Sequence, residues 1–119
     1  MNEIQIGLDG DQKDFQPGET LQGTATWGLQ MLPQTVEVRL FWYTEGKGTV
    51  DVVVVGCVRF KNALAQASEQ FKFQLPLSPY SFSGQLVSLF WGVEIIALPS
   101  GASERVHFQM SPKGKKIVL

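Results

Sequence analysis

His107 is the only histidine in the chain, and the side chain whose ordinary pKa best suits proton transfer near neutrality. A base of that kind needs a nucleophile within reach and an acid to orient it. Ser81, Ser83, Ser88, Ser103 and Ser111 supply hydroxyls, but none stands in a Gly-x-Ser-x-Gly elbow. His107 sits between Arg105 and Gln109 in an alternating stretch, which predicts an exposed surface histidine. Asp9, Asp11 and Asp14 offer oxygen ligands of the kind calcium takes, yet they lack the glycine and terminal glutamate spacing of an EF-hand loop. Aspartates that stabilise a solvated turn account for them. One cysteine and one histidine cannot fill a tetrahedral zinc site. Gly46-Lys47-Gly48-Thr49 has the composition of a phosphate loop without its first glycine or its following helix, and a hairpin turn explains it. Cys57 lies in an apolar strand and reads as a small buried hydrophobe rather than a nucleophile. No catalytic, metal-binding or cofactor-binding residue is assigned, and no enzyme is expected.

What remains is binding, and composition narrows it. The 119 residues suit one domain, expected at 1–112, followed by a basic C-terminal tail at 113–119 carrying Lys113, Lys115 and Lys116. A net charge of −1, with ten basic and eleven acidic side chains dispersed, lacks the one-sided field that nucleic acid demands. Hydrophobic residues make up 44% of the chain and thirteen are aromatic, enough for a core without disulfides or metal. The single cysteine fits a reducing compartment, and the N-terminus shows no basic stretch leading into an apolar run, so a cytoplasmic protein is expected. The longest valine run, Val52 to Val55, is far too short to span a bilayer.

The elements that position these residues are strands. Period-two alternation recurs in six segments: Ile4 to Leu8, Leu21 to Leu29, Val36 to Trp42, Phe71 to Leu75, Val87 to Ile95 and Val106 to Met110. Each has one apolar and one largely polar face, as a half-buried strand requires. Turn signals separate them, among them Pro17-Gly18, Leu32-Pro33, Gly46-Lys47-Gly48, Ser78-Pro79 and Pro99-Ser100-Gly101. With a seventh segment at Val52 to Val58, the pattern predicts an all-β, antiparallel, immunoglobulin-like sandwich of about seven strands. Lys61 to Glu69 reads either as one or two helical turns or as a polar loop.

The seventh segment breaks the alternation. Val52, Val53, Val54 and Val55 carry apolar side chains on both faces, so the strand is either covered twice or presents a face to a partner. Phe41 and Phe90, on the outer faces of their strands, raise the same alternative. Phe41, Val53, Val55 and Phe90 are therefore the candidate partner-binding residues.

Three ordered stretches resemble the arrestin family. Phe15-Gln16-Pro17-Gly18-Glu19-Thr20-Leu21-Gln22-Gly23 is similar to its "F-x-P-G-E-x-(L/V)-x-G" entry into an early strand. Val36-Glu37-Val38-Arg39-Leu40 matches the alternating strand that follows. Phe71-Lys72-Phe73-Gln74-Leu75-Pro76, then Pro79-Tyr80-Ser81-Phe82-Ser83-Gly84 and Val87-Ser88-Leu89-Phe90-Trp91, resemble its later segment, with Tyr80 as an extra residue between proline and serine. Pro17-Gly18 suits a type II turn, and Gly23 and Gly84 mark bends or close packing. The resemblance, which extends to bacterial sporulation-control relatives, implies an arrestin-like sandwich acting as a scaffold or adaptor. Family members carry two such sandwiches, whereas this chain has length for one, so a function seated between two domains is not implied unless two copies pair.

The expected function is accordingly protein binding, by strand addition at an open sheet edge or by docking on an apolar outer face, with the protein partner unspecified. Self-association through the same surface would give a symmetric homodimer. The alternative is a carbohydrate-binding sandwich, which needs exposed aromatic rings; Trp27, Trp42 and Trp91 fall on core faces, leaving Tyr43 and Tyr80.

Overall fold

The computed structural model describes residues 3–46, 50–112 and 117–118. Seven long strands form at the six alternating segments and the valine-rich seventh: β1 (Glu3–Leu8), β3 (Thr20–Gly28), β4 (Thr35–Gly46), β5 (Val52–Lys61), β6 (Gln66–Gln74), β8 (Val87–Leu98) and β9 (Ser103–Met110). Three two-residue strands accompany them: β2 (Asp14–Phe15), β7 (Phe82–Ser83) and β10 (Ile117–Val118). Among the described residues the only helix is a 3-10 turn at Asp9–Asp11, so none is long and apolar enough to cross a membrane.

The strands make two sheets. The smaller runs β1-β3-β6, antiparallel throughout, with Leu8 opposite Gly23 and Phe73 opposite Leu21. The larger is centred on β4 and β8, which pair along their whole lengths from Thr35–Leu98 to Gly46–Val87. Beyond β8 lie β9 and the short β7; beyond β4 lies β5. The all-antiparallel expectation holds for every long pair, while β2 beside β9 and β10 beside β7 are parallel over two residues each.

The inner faces meet in one core, in which Leu21, Val36, Val38, Trp91, Val93, Ile95 and Met110 are fully buried. A buried indole must place its N–H. Trp91 Nε1 donates to the Pro79 carbonyl and Trp27 Nε1 to that of Leu64, both at 2.8 Å. Gly23 is required by close approach: a Cβ there would lie 2.3 Å from the Gly7 carbonyl oxygen and 2.6 Å from the Phe71 ring. The Pro17-Gly18 turn also forms as its residues dictate. Gly18 has φ +80°, and the Glu19 amide donates to the Gln16 carbonyl at 3.1 Å.

Three expectations need correction or fall outside the described residues. Gln66 to Glu69, read as helix or loop, is strand: Ala67 pairs with Trp27 and Ser68 with Thr26, and this pairing overrides the weak helical preference of the segment. Only residues 62–65 form the connection. Val87, placed on the core face by its period, is 41% exposed because it opposes Gly46 at the last position of the β4–β8 pair, beyond Leu89, where the core cluster ends along β8. The hairpin residues Lys47, Gly48 and Thr49, and Lys113, Gly114, Lys115 and Lys116 of the tail, lie outside the described residues.

Candidate interaction site

The outer face of the larger sheet is built by cross-strand register. Opposed residues point the same way, so Glu37, Arg39, Phe41 and Tyr43 on β4 share a face with Glu94, Gly92 and Phe90 on β8. On β9, Arg105 and His107 join them opposite Glu94 and Gly92. Gly92 opens a slot in this surface, since a Cβ there would stand 2.7 Å from the Phe41 ring. Phe41 fills the slot, its ring stacked on Tyr43 at 6.0 Å and capped by the Arg105 guanidinium at 5.1 Å. It is therefore 3% exposed despite lying outside the core. Tyr43 stacks in turn on Phe90 at 5.2 Å and meets His107, ring edge to face, with its hydroxyl 3.2 Å from Nε2. This aromatic platform was half legible: the sequence marks Phe41 and Phe90, while Gly92 in mid-strand was the unused sign that a ring lies flat there.

Toward β5 the same face becomes ionic. Glu37 is 7% exposed and accepts from Arg39 Nε and Nη2 at Oε1 and from Arg59 Nε at Oε2, each at 2.9 Å. Burial acts to raise its carboxyl pKa but is outweighed by the hydrogen bonds and charges of the two arginines, which hold it below the ordinary range. Cys57, expected to be buried, is exposed on this face opposite Arg39. Its Sγ lies 3.7 Å from Glu37 Oε1, and partial desolvation together with that carboxylate pushes the thiol pKa up, so the sulfur stays a protonated donor. The apolar context of the strand suggests burial, but the phase of β5 turns Cys57 outward.

That phase is set by a β-bulge. Gly56 pairs with Leu40 but Val54 pairs with Phe41, so Val55 is an extra residue and the facing of β5 reverses across it. Consequently Val52 and Val54 face outward beside Tyr43 and Phe41, and Val53 faces the core side opposite Trp42. The four sequence candidates are thus divided: Phe41, buried, and Phe90, half-buried, belong to the platform, Val53 to the opposite face, and Val55 to the bulge. What unites the valines is the edge itself. Among the described residues β5 pairs with β4 alone, and Val52 to Val55 are 37–63% exposed.

The remaining chemical candidates are absorbed by the fold. Ser81 is buried, accepting from the Met110 amide at 3.0 Å and donating its own amide to the Met110 carbonyl at 2.7 Å. Gly10 and Asp11 shape the Asp9–Asp11 turn with φ of 66° and 53°. Among the described residues no three His, Cys, Asp or Glu side chains converge as a metal site would require. Trp27 and Trp91 are buried, and Tyr43 stands within its ring stack. Sequence reasoning also missed a groove at one end of the sandwich, between Leu29–Gln34 and Leu98–Ser100, with Met31 and Leu32 exposed at its lip.

No protein-family signature and no curated protein sequence matches the chain. Among solved structures it is similar to Spo0M, the sporulation control protein of Bacillus subtilis, with a TM-score of 0.60 and 18% identity over 92% of this chain and 49% of that one. It is also similar to part of a β-glucosidase from Listeria innocua, solved with gluconolactone, with a TM-score of 0.51 and 12% identity over 98% of this chain and 16% of that one. The chain spans about half the length of the first and a sixth of the second. The likeness shows the fold, an all-β sandwich of two sheets.

Proposed function

We propose that this chain is a non-catalytic scaffold or adaptor module that binds another protein by adding one of its strands along β5. The observation that carries the reading is the outer edge of β5, unpaired among the described residues, with four part-exposed valines in succession. Edge strands are ordinarily blunted by charge, and Val52 to Val58 has none. Full burial of a valine stabilises by about 1.5–3 kcal/mol, so covering this row supplies a driving force that main-chain hydrogen bonds then direct. Phe41 of the platform is already covered and Phe90 is half-buried against Tyr43, which favours the edge over the outer face as the docking element. The likeness to a control protein, and the absence of any nucleophile assigned to His107, support a regulatory rather than catalytic role. With a single cysteine in the chain, the cytoplasm is the compartment we propose.

The test replaces a residue of the edge by charge. Partners captured from native cell extract by the unaltered protein are expected to be lost with Val55→Lys and retained with Ser68→Lys on β6. Amide hydrogen exchange on the captured complex is expected to show new protection in β5. Retention by Val55→Lys, or protection confined to β6, would overturn the reading.

A further inference from the structure

We infer that the strand added to β5 is β5 of a second copy of this chain, antiparallel, about a two-fold axis passing between Val55 and Gly56. The inference rests on the strand-addition reading and names its occupant. Its first support is the facing pattern. Across the bulge β5 reads outward at Val52 and Val54, inward at Gly56, outward at Cys57 and Arg59 and inward at Val58. A two-fold at the bulge carries this reversal onto itself. Val52 then shares a face with the partner's Arg59, Val54 with the partner's Cys57, and inward Val53 with the partner's Val58. A shift of one residue would set outward side chains against inward ones along the strand, which is how register is ordinarily enforced.

The second support is charge. The N-terminal end of β5 carries Asp51, with Glu45 near the end of β4; the C-terminal end carries Arg59 and Lys61. Antiparallel pairing brings each acidic end to the basic end of the other copy, whereas parallel pairing would set like charges together. The third is the neighbouring edge. On β6, the outermost strand of the facing sheet, the exposed residues include Glu69 and Lys72, so the charges that discourage pairing stand beside β5 and not on its valine row.

The register can be read by covalent capture. Residues that oppose each other in an antiparallel pair have Cα atoms about 4.5–5.5 Å apart, within the roughly 4.4–6.8 Å that a disulfide bridges. Val54→Cys places a thiol opposite the partner's Cys57, and oxidation by oxidised glutathione joins the two sulfurs as two thiol hydrogens and two electrons pass to the glutathione disulfide. The expected result is a covalent dimer on a non-reducing gel, abolished when Cys57→Ser is combined with Val54→Cys. In solution the unaltered protein is expected to sediment as a dimer, and Val55→Lys to raise the dissociation constant at least tenfold by setting two ammonium groups near the axis. An unaltered protein that stays monomeric at every concentration overturns self-pairing, yet leaves β5 open for a different chain and the broader reading intact. A dimer that forms no Val54→Cys crosslink and keeps β5 amides in fast exchange pairs through another surface and likewise overturns self-pairing at β5, while the broader reading falls only if captured partners survive Val55→Lys.

Discussion

The two outermost strands on one flank of the sandwich, β5 and β6, are joined by the short connection at 62–65 and face the same solvent, yet they are finished differently. On the second half of β6 the alternation holds: Phe71 and Phe73 are buried, while Gln70, Lys72 and Gln74 face out. On β5 the outward positions near the bulge are valines, and the inward position at the bulge is Gly56, against which the Phe73 ring packs. A Cβ on Gly56 would meet that ring at 3.2 Å. The edge of β6 therefore satisfies folding and solubility together, whereas β5 yields the inner volume at Gly56 to a residue of β6 and carries Val52 and Val54 outside, with Val58 and Phe60 packed on the core. Folding does not require Val52 and Val54 to be apolar where they stand. That separates what holds the sandwich together from what its flank presents to other molecules.

The separation can be broken most severely from the β6 side. Phe73→Ala removes the ring that spans from β6 to Gly56 and leaves a cavity, so it is expected to destabilise the fold by about 3–5 kcal/mol in urea unfolding. Val55→Lys, on the other strand, removes no core contact and, at concentrations where both proteins are monomeric, is expected to stay within about 0.5 kcal/mol of the unaltered protein. Similar losses for both would mean that the valine edge is part of the core after all.

A smaller effect is expected where β5 meets β4. Glu37→Gln weakens a buried carboxylate held by two arginines, a loss of about 1–2 kcal/mol once the exposure of Arg39 and Arg59 is allowed for. The folded pKa of Glu37 is depressed, so its contribution is complete above the ordinary glutamate value near 4.3 and disappears as pH falls through the lower folded value. Acid titration of stability should show this step in the unaltered protein and lose it in Glu37→Gln. An unchanged titration would place the acid sensitivity elsewhere.

Much of the fold was legible because a buried strand face announces itself. Trp27, Trp91, Phe71 and Phe73 recur at a period of two and fall on inner faces, and Gly18 follows Pro17 where a type II turn needs positive φ. Facing on β5 was not legible, since four identical valines carry no phase and a bulge is a property of the pair rather than of one strand. The same loss of phase placed Cys57 inside and put Val53 with Phe41. Gln66 to Glu69 was lost for a related reason: its residues lack strand character, and only the register against Thr26 and Trp27 makes them a strand. The platform was half seen, because Phe41 looks exposed unless Gly92 and Arg105 are known to enclose it.

The finest distinction lies on the outer face itself, between the platform and the edge beside it. Burial, reinforced by the charge of Arg105, lowers the His107 pKa, and burial with the charge of Glu45 raises that of Tyr43, so both groups are neutral at pH 7. A neutral imidazole can exchange one hydrogen bond with the phenol in either tautomer; a protonated one can only donate, beside the guanidinium that caps Phe41. The folded protein thus binds the proton less readily than the unfolded chain. Stability from this group is complete above about pH 6.5 and is lost as pH falls through the lower folded value, a window well above that of Glu37. His107 is half in solvent, so the step should be a few tenths of a kcal/mol. His107→Gln should remove it, while self-association measured across the same pH range stays constant because the β5 edge offers no group that titrates there. A dimer that dissociates in step with His107 protonation would instead join platform and edge into one surface, and the partner would have to be sought across both.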